Sequence, residues 1–346
     1  MACLCVAAAL LGCATQTADP RIGQRFVPVD PSWSLAIPKV DEPPVFWPYE
    51  GPWTLSTSAS ASPAESLPLF AGGDAIFERQ GEGWERTEFE RPGFIATRVV
   101  ALGPGHALAL LSVDRDCAMA RGHSVLVSLE DGELRTLFER EAFSVSSLWA
   151  SGPEDIWFAG AEHFGQPRFV HGQYDAPRFQ ISHFDGQRWH EHRAGDPELA
   201  AAWVFGTGPG DVWLLSSWHA LRYDGEHYTE HDYPVSVSNI VAAAGVEGDM
   251  WVLDAHGELM HWDGLSFTHQ PLPEIDDDAN TKLVNLAYFG PNEVWAVGQA
   301  GLLRRYDGER WTAEPLSQPV SLVSVARDEH YLFGLTRSRE LLVRRR

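Results

Sequence analysis

A period of about forty residues, an acidic-residue–x–Trp step within it and an Asp-Gly turn after it predict an all-β chain folded as a β-propeller. Four segments share this layout: Gly152-Pro153-Glu154-Asp155-Ile156-Trp157, Gly208-Pro209-Gly210-Asp211-Val212-Trp213, Glu247-Gly248-Asp249-Met250-Trp251 and Gly290-Pro291-Asn292-Glu293-Val294-Trp295. Each is followed by Asp-Gly, at Asp185-Gly186, Asp224-Gly225, Asp263-Gly264 and Asp307-Gly308, with spacings of 39, 39 and 44 residues. Three residues after each of these glycines stands an aromatic: Trp189, Tyr228, Phe267 and Trp311.

Each part of the repeat has a physical reading. In Asp211-Val212-Trp213-Leu214-Leu215 the apolar residues do not alternate with polar ones. Such a strand must be covered on both faces, as an inner strand between neighbouring blades is. The Gly-Pro segment before it turns the chain. Asp-Gly supports the left-handed backbone of a tight hairpin. The strand after it, such as Trp189-His190-Glu191-His192, is polar and suits the outer rim.

The remaining repeats are eroded. Gly103-Pro104-Gly105-His106 opens one, with Asp131-Gly132 as its hairpin, and Gln80-Gly81 with Trp84 marks another. His330-Tyr331-Leu332-Phe333 and Glu340-Leu341-Leu342-Val343 read as inner strands of a last blade without its outer strand. The expectation is seven four-stranded blades, with six or eight as alternatives, closed by an N-terminal strand. The propeller spans 51–346.

Ahead of it, Leu4 to Leu11 is an apolar run too short to span a bilayer as a helix. It resembles the end of a secretory signal peptide. Leu10-Leu11-Gly12-Cys13 is similar to the lipobox of bacterial lipoproteins, although no Lys or Arg precedes the run. The resemblance implies a signal peptide over 1–12, lipid attachment at Cys13 and anchoring to the bacterial cell envelope. With Ala14 after the cysteine, it implies the outer membrane. Residues 13–50, with Pro28, Pro31, Pro38, Pro43, Pro44 and Pro48, form the expected semi-extended tether. The other cysteines, Cys3, Cys5 and Cys117, do not form a disulfide framework.

The repeats resemble a loose group of bacterial secreted propellers, including photosystem-assembly-factor-like propellers and the sensor propellers of some two-component regulators. The resemblance covers about 150–346 well and 65–150 poorly. WD-repeat, kelch and sialidase patterns fit less well: Trp262-Asp263 and Gly72-Gly73 each occur once, and the Asp-box serine is missing. Fold of this kind does not carry function.

The formal net charge is −22, from 48 acidic and 26 basic residues. Such a surface repels nucleic acid, so no nucleic-acid partner is expected. The turns expected on one face are uniform, whereas the loops on the other vary, at 114–123, 161–178 and 271–282. Irregular loops on a regular scaffold mark a binding face. The insertion at 161–178 carries His163, Phe164, Arg168, His171, Tyr174 and Arg178, residue types suited to partner contact. Asp276, Asp278 and Asn280 resemble the start of a calcium loop. Thr281 then stands where the turn glycine belongs and Ala287 where a bidentate Glu belongs, so calcium is only a weak expectation and no cofactor is assigned. His190 with His192, and His227 with His231, have ligand-like spacing but lie on rim strands. No catalytic set is legible. The function read from the sequence is a non-enzymatic, lipid-anchored module that binds a protein or glycan of the cell envelope through its loop-rich face. The alternatives are a glycoside hydrolase or lyase with a central site, or a ligand-sensing propeller.

Overall fold

A computed structural model describes residues 34–35, 54–55 and most of 69–346. Within 69–346 the longest stretches outside the description are 114–121, 163–168, 193–202 and 273–281. Strand β1 (Ser34–Leu35) does not join blade 1, which follows it in sequence. Blade 1 comprises β2 (Thr54–Leu55), β3 (Leu69–Gly72), β4 (Ala75–Gln80) and β5 (Gly83–Glu88). Blade 2 comprises β6 (Phe94–Gly103), β7 (His106–Val113), β8 (His123–Glu130) and β9 (Glu133–Glu141). Blade 3 runs β10 (Phe143–Gly152) and β11 (Asp155–Glu162), then a separate hairpin of β12 (Phe169–Val170) and β13 (Gln173–Tyr174), then β14 (Arg178–Phe184) and β15 (Trp189–His192).

Blade 4 is β16 (Trp203–Gly208), β17 (Asp211–Leu215), β18 (Ala220–Tyr223) and β19 (Tyr228–His231). Blade 5 is β20 (Ile240–Val246), β21 (Asp249–Asp254), β22 (Leu259–Trp262) and β23 (Phe267–His269). Blade 6 is β24 (Leu283–Tyr288), β25 (Val294–Gly298), β26 (Leu303–Tyr306) and β27 (Trp311–Ala313). Last come β28 (Leu322–Arg327), β29 (Tyr331–Thr336) and β30 (Leu341–Arg345).

The expected count of seven four-stranded blades is corrected here. Six blades are four-stranded in their own successive strands. The last sheet has only three strands of its own. It gains a fourth edge when Ser34 and Leu35 of β1 pair with Val343 and Leu342. The cause is visible in the last repeat, which has neither an Asp-Gly hairpin nor the aromatic that starts an outer strand. We call this sheet the composite blade.

Within each blade the strands are antiparallel neighbours, so one chain direction alternates from the centre outwards. The connections between first and second strands, and between third and fourth, therefore share one end, the lower face. The second-to-third turns and the links between blades share the upper face.

The cores lie between blades. Trp157, Trp213, Trp251 and Trp295, each the second-strand tryptophan of its repeat, are 1–2% exposed. Trp157 packs among Val212 and Leu214 of blade 4, Trp213 among Met250 and Val252 of blade 5, and Trp295 among Val325 and Leu332 of the composite blade. Ala75 and Phe77 of blade 1 pack against Phe333 and Leu335 of the composite blade, which closes the ring. Burial of apolar area at about 25 cal/mol per Å² makes these seams the main source of stability.

The Asp-Gly turn differs from its expected form in blades 3 to 6. Only in blade 2 do both residues take left-handed angles, Asp131 at φ 49° and Gly132 at φ 84°. In blade 4 the glycine alone is left-handed, Gly225 at φ 101°. Asp224 Oδ1 instead accepts the backbone N–H groups of Glu226 and His227, at 2.9 and 2.7 Å. The aspartate thus acts as a side-chain cap of a wider loop. Those N–H bonds hold its carboxyl below the usual carboxylate range.

Candidate binding face

Two repeated devices position the side chains at opposite ends of the blades. At the lower end, the acidic residue of the repeat sits two positions before the tryptophan and, in blades 3 to 5, faces a histidine or arginine on the third strand. Asp155 accepts from Trp157 Nε1 at 2.8 Å and from His183 Nε2 at 2.9 Å, and from the Ser151 hydroxyl. Asp211 accepts from Arg222 Nε at 2.6 Å and from the Thr207 hydroxyl. Asp249 accepts from His261 at 2.7 Å and from the hydroxyl of Tyr288, in the next blade, at 2.7 Å. In blade 6, Glu293 turns to Arg327 and Arg346 of the composite blade, at 2.5 and 2.9 Å. Burial opposes the charge on Asp155 and Asp249, but the histidine and other side-chain hydrogen bonds outweigh it and hold both carboxyls below the usual range. These clasps are structural. They explain the acidic-residue–x–Trp step without invoking a ligand.

At the upper end, the innermost strands carry β-bulges. Each shifts the register before Arg98, Ser147, Ala242, Asn285 and Ser324, which pair with equivalent second-strand positions. Trp203 occupies the same position in blade 4, opposite Leu215. A bulge re-aims the following side chain, here towards the next blade. Arg98 donates to the Ser146 carbonyl of blade 3 at 2.6 Å, and its guanidinium lies 4.4 Å from the centroid of the Trp203 ring in blade 4. Ser147 Oγ accepts the Val204 N–H at 2.8 Å, and Asn285 Nδ2 donates to the Val323 carbonyl at 3.0 Å. The inner strands are thereby stitched together around the axis. None of the described inner strands, β2, β6, β10, β16, β20, β24 or β28, contains an Asp or Glu. They offer no carboxylate pair of the kind a glycosidase needs.

Blade 4 presents a second tryptophan at this end. Trp218 is in the turn between β17 and β18 and is 75% exposed. The turn is fixed: Ser216 Oγ accepts the N–H groups of Trp218 and His219, both at 3.2 Å, and donates to the His219 carbonyl at 2.9 Å. An indole left in water on a rigid turn, at the same end of the blade as a second, half-buried indole capped by a guanidinium, is a ready partner anchor. The repeat pattern did not reveal this site. Trp203 sits outside the repeated step, and the bulge before an inner-strand residue has no composition signal. The sequence signal that was available is Trp218 itself, a tryptophan in a Ser-Ser-Trp-His turn.

The residues expected to serve lipid attachment, partner contact or calcium binding, and Cys117, fall mostly outside the description. Cys13, His163, Phe164, Arg168, His171, Cys117, Asp276, Asp278 and Asn280 all lie there. Tyr174 lies in β13 opposite Phe169, and Arg178 opens β14 opposite Glu162. The insertion therefore contains a small hairpin of its own. Among the described residues no group of three His, Cys, Asp or Glu is arranged to hold a metal ion. His190 is instead 2.6 Å from Asp185, and His192 Nδ1 is 3.1 Å from the Tyr228 hydroxyl. His227 is exposed beside Glu226, and His231 lies between Trp213 and Trp262.

No protein-family model matches the chain, and no curated protein matches it in sequence. Solved structures do match in fold. The structure of YCF48 from Cyanidioschyzon merolae is 14% identical, with a TM-score of 0.56 over 91% of this chain and 99% of that one. A structure of YCF48 bound to D1 peptide is 15% identical, with a TM-score of 0.55 over 90% and 99%. A catalytically inactive virginiamycin B lyase from Staphylococcus aureus, with quinupristin, is 11% identical, with a TM-score of 0.53 over 86% and 95%. At these identities the likeness is one of fold: the chain is a β-propeller.

Proposed function

We propose that this propeller is a binding module that engages a protein partner through the upper face of blades 2 to 4, and that Cys13 tethers it by lipid to the bacterial cell envelope. The observation that carries the reading is the exposure of Trp218, 75% against 1–2% for the four repeat tryptophans. A fixed, solvated indole at the same end of blade 4 as the Arg98–Trp203 contact has the make-up of an interface anchor, where Trp and Arg concentrate binding energy. The variable loops at 114–123, 161–178 and 271–282 join strand ends of the upper face, whereas the lower face repeats its turns. YCF48, similar in fold, has been solved with a peptide bound, which supports a peptide or protein as the partner class. The lipobox-like Leu10-Leu11-Gly12-Cys13 supports the tether.

The test is a cross-linked pull-down from native envelopes with the wild-type chain and Trp218→Ala. A protein recovered with wild type and lost with the variant supports the reading. Recovery of no protein, together with turnover of a glycan, overturns it in favour of the hydrolase or lyase alternative.

A further inference from the structure

We propose that blade 4 is an acid-sensitive element, held in place at neutral pH by a neutral imidazole in each of its two seams. The seam with blade 3 contains His192, and the seam with blade 5 contains His231. The two occupy equivalent positions at the outer strands of their blades, opposite Ile181 and Ala220. Among the described residues they are the seam histidines that have no carboxylate partner. His183 and His261, in the same set of seams, are held by Asp155 and Asp249.

His192 projects from β15 towards blade 4. Its ring centroid lies 4.9 Å from that of Trp157, 5.6 Å from Tyr223 and 6.5 Å from Tyr228. The Tyr228 hydroxyl, 3.1 Å from Nδ1, is its bridge across the seam. The titratable groups facing it from blade 3 are His183, 5.9 Å between centroids, and His190 of its own strand. Each of those already shares a carboxylate, Asp155 or Asp185, and Arg188 Nε is 3.4 Å from His190. From blade 4 only the two tyrosines face it. A proton on His192 therefore meets two other imidazoles and no free carboxylate. Burial first, then His183 and His190, lower its proton affinity.

His231 is wedged against Trp213 of its own blade and Trp262 of blade 5, at 5.3 and 4.7 Å between centroids. Its Nε2 is buried without a hydrogen-bond partner, as is the Tyr233 hydroxyl in the same seam. The charged groups around it are Arg222, paired to Asp211, and the adjacent Asp232. Burial and the Arg222 guanidinium oppose its protonation more than Asp232 favours it.

The sign follows. For a histidine whose proton affinity is lowered by folding, the native state prefers the neutral ring. Stability is full above the unfolded value of about 6.5 and falls as the pH drops below it. Both losses act on blade 4, the blade that presents Trp203 and Trp218. On the reading given above, acid would loosen the partner-binding face before it unfolds the ring.

Hydrogen exchange read by mass spectrometry tests this on the free protein, without any partner. Exchange is measured at pH 7.5 and 5.5 and corrected for the intrinsic pH dependence of amide exchange. The proposal expects protection of β16–β19 to fall about ten-fold at the lower pH, with blade 2 strands β6–β9 little changed. The double variant His192→Gln with His231→Phe should abolish that difference. If the pair of changes does not fold, each single variant should remove about half of the effect, in its own seam. Equal loss of protection in all blades, no loss, or the same loss in the variants overturns the proposal. None of these outcomes touches the pull-down result, so failure of the acid-sensitive joint and failure of the binding reading are separable.

Discussion

His183 lies flat on Trp157, with ring centroids 4.0 Å apart and planes inclined by 11°, while its Nε2 donates to Asp155 at 2.9 Å. The same three-part contact recurs in blade 5, where His261 stacks on Trp251 at 4.4 Å and reaches Asp249. One side chain thus covers the tryptophan and satisfies the carboxylate. The acidic residue of the repeat is tied to the seam core, not to solvent.

The acid limb of stability should therefore trace to these carboxylates. Asp155 and Asp249 are held below the usual range when folded. A depressed carboxyl contributes stability that is present above the unfolded value of about 3.9 and lost as pH falls through the folded value. Denaturant midpoints measured between pH 5 and pH 2.5 should drop for wild type. Asp155→Asn should start lower at pH 5 and show a shallower drop. An unchanged slope in that variant would sink the assignment.

Removing the tryptophan itself should cost more than removing the clasp. Trp213 is 1% exposed and contacts Trp262 and Phe267 across the seam at centroid distances of 5.0 and 5.8 Å. Trp213→Ala should lose about 3–5 kcal/mol. Equilibrium denaturation in urea at pH 7.5 checks this; a loss near zero would mean the tryptophans are not the inter-blade core.

Trp218 gives the opposite expectation from the same blade. Its ring is in water, and its turn is held through the Ser216 side chain and backbone. Trp218→Ala should change stability by no more than about 0.5 kcal/mol. The measurement is the thermal midpoint beside that of Trp213→Ala. A loss comparable to the Trp213 variant would show that the indole is structural, and would remove the main support for the binding face.

How far these features could be read from sequence depends on what each one needs. The second-strand tryptophans were legible because burial on both faces forces an uninterrupted apolar run, as in Val212-Trp213-Leu214-Leu215. The Asp-Gly turns were located correctly, but their geometry was not. Asp131 and Asp224 precede glycine alike, yet only Asp131 is left-handed, because Asp224 spends its side chain on two N–H groups of a longer loop. The count failed at the composite blade, which has three strands of its own; a closing N-terminal strand was expected, but which segment supplies it was not, because Leu35 has no local sequence link to Leu342. The contact between Arg98 and Trp203 was hidden for a related reason. It depends on a bulge in one strand and on blades two apart converging at the axis, and neither leaves a pattern in composition.

Gly206 and Gly208 offer a test of seam packing with its own control. Both lie in β16, two residues apart. A Cβ at Gly206 would stand 2.5 Å from the Trp149 ring of blade 3, whereas one at Gly208 would meet nothing within 4 Å. Trp149 is 3% exposed and packed on both sides, so it cannot retreat without opening the seam. Overpacking of this kind costs about 1–3 kcal/mol. Gly206→Ala should lower the urea midpoint by that amount, and Gly208→Ala should leave it nearly unchanged. Equal effects at the two positions would mean that backbone freedom, and not the approach of Trp149, is what requires glycine at Gly206.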